Sequence, residues 1–200
     1  MPTGEIVWLD AKGDLRHYAW LRSWHMTFAS DGYLYAAVGG GGEPKSIVRI
    51  TGVDRYKTLL REIDGQPLGI GPGSRYGPAS VRILSTPGGG LLVYDEGHMK
   101  IYSVGLDGQA SVFADFPELH QIRGPAPIAV APDGSVFINL NDAPYPLGYS
   151  LLLIHPNGDR EIYARRIYGD PLGAVVSPDG QWLYIAENGA IDKIPIIGSD

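Results

Sequence analysis

An apolar run, a corner built on Asp-Gly or Gly-Gly, and a second apolar run recur four times along these 200 residues. The copies are Met26 to Val38 around Asp31-Gly32, Val81 to Tyr94 around Gly88-Gly89, Ile128 to Leu140 around Asp133-Gly134, and Ala174 to Ala186 around Asp179-Gly180. Asp caps such a corner locally, Gly accepts positive φ, and Pro, where it stands just before them, presets φ, so each copy is an instruction for a β-hairpin. The last two intervals are about 45 residues and the first about 57, a period that marks a repeat architecture. The extra length of the first interval lies in the Gly- and Pro-rich segment from Gly65 to Pro78.

A second hairpin follows each of the first three copies: Ser46 to Ile50 with Tyr56 to Leu60, Met99 to Val104 with Ala110 to Ala114, and Leu151 to His155 with Arg160 to Tyr163. Two hairpins per period make a four-stranded antiparallel sheet, the unit of a β-propeller blade. Arg55 to Ile63 also admits a helical turn or two, but its neighbours make it the better outer strand. The fold class is therefore all-β, a propeller of about four blades: residues 23–66, 79–118 and 124–166 as complete blades, with partial blades at 1–22 and 171–200. The first partial blade is an outer hairpin, Glu5 to Leu9 with Leu15 to Trp20. The last breaks off within another outer hairpin, so the ends do not close neatly. This count points to a single domain or fragment, an arc of a larger five- to six-bladed ring, with open blade edges where a dimer could form.

Composition narrows the function classes. Hydrophobic residues make up 44% and charged residues 19%, with 28 glycines and 16 prolines spread as punctuation rather than as low-complexity tracts. No apolar run approaches the roughly twenty residues of a membrane-spanning helix, and MPTGEIVWLD lacks the basic start and apolar centre of a secretion signal. Neither a membrane nor nucleic acid is expected as partner, since the net charge is −6 and no basic stripe is present. The absence of cysteine removes thiol nucleophiles, disulfides and thiolate metal sites, and it leaves the compartment open.

At PLGAVVSPDGQWLYIAENGAIDKIPI and PIAVAPDGSVFINLN the chain resembles the calcium-dependent propellers of the gluconolactonase (SMP-30) group and the related NHL-repeat and strictosidine-synthase-like propellers. The resemblance implies a six-bladed ring with carboxylate and amide calcium ligands just before the innermost strands. Aligning the turns puts Leu172, Ala126, Val81 and Trp24 at those positions, and none offers a side-chain oxygen to a hard cation. No metal site and no cofactor is therefore expected, calcium being the single cation that the resemblance keeps in play.

In a propeller the loops joining the second strand to the third share one face with the starts of the innermost strands, and these loops carry the candidates for chemistry. Asp95, Glu96 and His98 form the sharpest group, two carboxylates beside an imidazole. The competing reading is a polar hairpin loop facing water, and strand alternation lets only one of the two acids face the channel. Glu187 is a fourth candidate for catalysis, while Asn188-Gly189 behind it reads as a hairpin turn. For ligand binding the candidates are His25 at the start of an innermost strand, Asn139, Asn141 and Asp142 before the insertion APYPLGY, and Tyr145 as a stacking surface. Gly39 to Gly42 runs into a strand instead of a helix and is no phosphate loop. Two functions emerge. One is a binding or interaction module presenting an acidic loop face to a small ligand or protein. The other is a divergent lactonase-like hydrolase with carboxylate-based, calcium-assisted chemistry.

Overall fold

The computed structural model describes residues 4–39, 44–71, 80–116, 126–140, 149–167, 173–187 and 189–196. Among these there is no helix; every regular element is a strand, and none of the structure is a helix long and apolar enough to cross a membrane. The fold is a four-blade β-propeller. Strands β1 (Glu5–Leu9) and β2 (Leu15–Trp20) form an N-terminal hairpin. Blade 1 is β3 (Ser23–Phe28), β4 (Leu34–Val38), β5 (Ser46–Gly52) and β6 (Arg55–Leu60), followed by a small ladder of β7 (Glu62–Ile63) and β8 (Gln66–Pro67). Blade 2 is β9 (Val81–Ser85), β10 (Leu91–Asp95), β11 (Lys100–Val104) and β12 (Ala110–Asp115). Blade 3 is β13 (Ala126–Val130), β14 (Val136–Leu140), β15 (Tyr149–Ile154) and β16 (Arg160–Ile167). Blade 4 has three strands, β17 (Gly173–Val176), β18 (Trp182–Glu187) and β19 (Ala190–Pro195). The stretch with a helical alternative, 55–63, is strand on both sides of a bend at Arg61 and contains no helical turn.

The recurring corners do what their chemistry requires. Gly32, Gly134 and Gly180 have φ of 77°, 91° and 72°, the left-handed region that a Cβ disfavours. Asp31 accepts from the Tyr33 amide and Asp133 from the Ser135 amide, at 3.1 and 2.8 Å, closing each corner from within.

Blades pack face to face through alternate residues of their strands. Tyr35, Ala37 and Ile47 of blade 1 meet Val81, Ile83 and Val93 of blade 2. The opposite face of blade 2, with Leu92, Tyr94 and Ile101, meets Val136, Ile138 and Leu152 of blade 3. Phe137, Leu151 and Leu153 then meet Leu183 and Ile185 of blade 4. The innermost strands follow one another in the series β3, β9, β13, β17, and among the described residues no comparable contact joins β17 back to β3. At the free end of the series the N-terminal hairpin covers part of blade 1, with Ile6, Ala19 and Leu21 packed on Leu34, Ala36, Val48 and Ile50.

Candidate functional site

Asp95 is the last residue of β10, and its side chain is fully buried at 0% exposure. Buried carboxylates need donors, and Asp95 has a set of them. The Gly69 amide donates to both oxygens at 3.2 and 3.1 Å, the Gly97 amide donates to Oδ1 at 2.8 Å, and the His98 ring nitrogen Nδ1 lies 2.9 Å from Oδ2. Gly69 belongs to the segment that leaves blade 1. One carboxylate therefore ties the blade 1–blade 2 connection to the β10–β11 loop.

Glycine is required for this approach. A Cβ on Gly97 would fall 2.8 Å from the Gly69 carbonyl carbon, and one on Gly71 would fall 2.3 Å from the Gly97 oxygen. Glu96 turns away from Asp95, as strand alternation demands, and caps the start of blade 2 by accepting from the Ser80 amide at 2.8 Å. The Glu96 amide in turn donates to the Ser80 carbonyl at 3.1 Å. Met99 completes the loop with φ of 56°, its carbonyl accepting from the Phe116 amide at 3.1 Å and its sulfur 3.9 Å from the Tyr94 hydroxyl. Burial pushes the Tyr94 phenol up, so it stays protonated.

The structure thus brings Asp95 and His98 together in one network and leaves Glu96 outside it, paired with the Ser80 amide. His98 keeps 16% of its side chain exposed, with Nδ1 held by Asp95. A carboxylate that fixes one ring nitrogen leaves the other to act as acceptor or base, which is the chemical capacity of this group.

His25 lies on β3 and pairs in register with Ala37. Burial, with Arg82 as a second cause, lowers its pKa to about 4, so the imidazole is neutral at pH 7. Asn139, on β14, is 8% exposed, and its side-chain oxygen is buried without a hydrogen-bond partner. Glu187 ends β18 opposite Ala190; its side chain lies outside the described residues, as do Asn141, Asp142 and Tyr145. Of the four positions aligned with calcium ligands, Val81 is buried in the blade 1–blade 2 core and Trp24 faces solvent. Leu172 and the side chain of Ala126 lie outside the described residues. Among the described residues no group of three or more His, Cys, Asp or Glu side chains is placed to hold a metal.

One cleft opens between blades 3 and 4 at the end carrying the Asp133-Gly134 corner, with a volume of about 470 Å³. Phe137, Leu153 and Tyr163 form its apolar lining and Ser135, His155 and Glu161 its polar part. The polar groups are paired internally: Ser135 donates to Asp133 at 2.9 Å, and His155 Nε2 lies 3.1 Å from Glu161. Sequence reading left His155 among the scattered histidines. The signal that could have placed it is hairpin register, which sets β15 and β16 side by side.

No family model matches the chain, and no curated protein matches it. Solved structures do. A gluconolactonase from Xanthomonas campestris is 15% identical with a TM-score of 0.69, over 96% of this chain and 66% of that one. Virginiamycin B lyase from Staphylococcus aureus, a catalytically inactive histidine variant with quinupristin, is 17% identical with a TM-score of 0.64, over 96% and 59%. A chain of a nidogen/laminin complex is 18% identical with a TM-score of 0.64, over 92% and 66%. The chain resembles them in fold. It spans less than two-thirds of the length of each, and the same fold carries enzymes and binding proteins alike.

Proposed function

We propose that the chain is a propeller binding module that engages a small ligand or a protein partner on its loop face, without a reaction carried by Asp95. The observation that supports this reading is the state of Asp95: it is sealed from solvent, and its oxygens are taken up by the Gly69 and Gly97 amides and the His98 ring. Glu96 is likewise engaged, with Ser80. The unpartnered oxygen of Asn139 adds an acceptor suited to a ligand hydroxyl or amine, because a buried acceptor without a donor costs free energy that a bound donor returns.

A lactonase-like hydrolase is the second reading, and the Asp95–His98 pair favours it, since the carboxylate leaves His98 Nε2 free to act as a base at the edge of the loop face. The two readings separate in one experiment. The purified chain is incubated with an aldonolactone, with and without millimolar calcium, beside the His98→Ala variant. The binding reading expects hydrolysis at the buffer rate in every case and no calcium-induced rise in melting temperature. Turnover that His98→Ala abolishes would establish the hydrolase instead.

A further inference from the structure

Strand β2 carries one residue more than β1 between the pairs Ile6↔Ala19 and Val7↔His17, and that residue is Tyr18. Such a bulge re-aims what stands on either side of it. It brings His17 and Trp20, three positions apart, onto one face of the hairpin, where strict alternation would part them; their ring centroids lie 5.1 Å apart. Glu5 stands opposite Trp20 and so shares that face. Tyr18, without a partner on β1, turns its carbonyl to the Asp54 amide at 2.9 Å.

Asp54 sits in the β5–β6 turn with φ of 53°, a left-handed conformation that a side chain disfavours and that its surroundings must hold. Besides the bond to Tyr18, its carboxylate accepts from the Trp20 amide at 3.1 Å and lies 3.0 Å from His17 Nε2. Glu5 lies 3.0 Å from the other ring nitrogen, Nδ1. A neutral imidazole has one N–H and serves one acid; two acids on its two nitrogens call for the imidazolium. Among the described residues no lysine or arginine pairs with either acid: Arg55 follows Asp54 in the chain without pairing with it, and Arg16 is taken up by Asp10 and Asp14.

We propose that His17 is a pH-sensitive clamp, its ionised ring holding the hairpin to blade 1 and its neutral ring loosening the hairpin from the apolar face beneath. The hydrogen bonds to Asp54, then to Glu5, raise the His17 pKa above 6.5, so the clamp is complete below pH 6.5 and is lost as pH rises through the folded value. Past that point one acid loses its donor, and Glu5 and Asp54 flank an uncharged ring. The backbone ties of Asp54 and the packing of Ile6, Ala19 and Leu21 on Leu34, Ala36, Val48 and Ile50 remain, so the hairpin opens more often and does not detach. Access to that apolar face of blade 1 is thereby set by pH.

The sequence contains no cysteine, so one introduced thiol reports local opening without background. Ala19→Cys probes the hairpin and Ala36→Cys the blade beneath it, at sites of 1% and 0% exposure, with Ala114→Cys between blades 2 and 3 as control; melting curves confirm that each folds. Labelling rates between about pH 6 and 9 are divided by those of the same chain unfolded in urea, which removes the titration of the thiol itself. A surface ion pair contributes little, so protection at the hairpin probes is expected to fall about two- to fivefold over this range, following the His17 ring titration read by NMR. The control is expected to show no such fall, nor are the hairpin probes in the His17→Gln background. A flat profile with His17 intact, an equal fall at the control or a fall that persists in His17→Gln overturns the proposal, as does a His17 ring that titrates below pH 6.5.

Discussion

Replacing Asp95 by alanine removes the acceptor for three backbone amides, those of Gly69, Gly97 and His98, and for one imidazole at a site with no solvent to take over. Hydrogen bonds to a charged group contribute about 1.5–3 kcal/mol each and do not add fully, while breaking a buried charge-assisted set costs about 3–5 kcal/mol. We expect Asp95→Ala to lose about 3–5 kcal/mol, which for a chain of this size moves the urea midpoint down by about 1–2 M at unchanged slope. Asp95→Asn keeps the shape and one acceptor oxygen and loses less, about 1–2 kcal/mol. Urea denaturation followed by far-UV circular dichroism reads both. If Asp95→Ala falls within about 0.5 kcal/mol of the parent, the range of an ordinary surface change, the reasoning fails and Asp95 is not a structural tie.

Two histidines give stability opposite pH dependences. Hydrogen bonds to Asp54 and Glu5 raise the His17 pKa above 6.5, so its contribution is complete below pH 6.5 and is lost as pH rises through the folded value; His17→Gln should remove that decline from a series of denaturant midpoints. Burial lowers His25 to about 4, so the unfolded chain takes up more protons between pH 6.5 and 4 and stability falls as pH drops through that window; His25→Gln should flatten the acid limb, and an unchanged limb would contradict the burial of the ring. Gly71→Ala places a methyl 2.3 Å from the Gly97 oxygen and should cost about 1–3 kcal/mol by the same denaturation, with no effect if the loop contact is loose.

The strands were legible because they depend on local grammar. Glu5 to Leu9 and Leu15 to Trp20 are read from the sequence with the limits they have in the structure, and three four-stranded sheets fall where the Asp-Gly corners and the hairpins behind them put them. The small ladder of β7 and β8 was missed, although Asp64-Gly65 is a turn signal, because two-residue strands carry no periodicity. Asp95 shows the limit for the site. Its neighbours in sequence, Glu96-Gly97-His98, read as a polar loop, and what buries it is Gly69, twenty-six residues earlier, a backbone donor with no side chain to announce it. The lowered pKa of His25 likewise rests on packing and on Arg82, fifty-seven positions away.

At the centre of this account, the carboxylate at the loop face joins blade 1 to blade 2 and is not a reagent held open for substrate. Amide hydrogen exchange at Gly69 and Gly97 in the wild-type chain measures that directly. The account predicts that both amides exchange as slowly as those of Val93 in the adjoining core strand, opening only with global unfolding. Exchange at the rate of a free surface loop would contradict it and return Asp95 to the list of available catalytic groups.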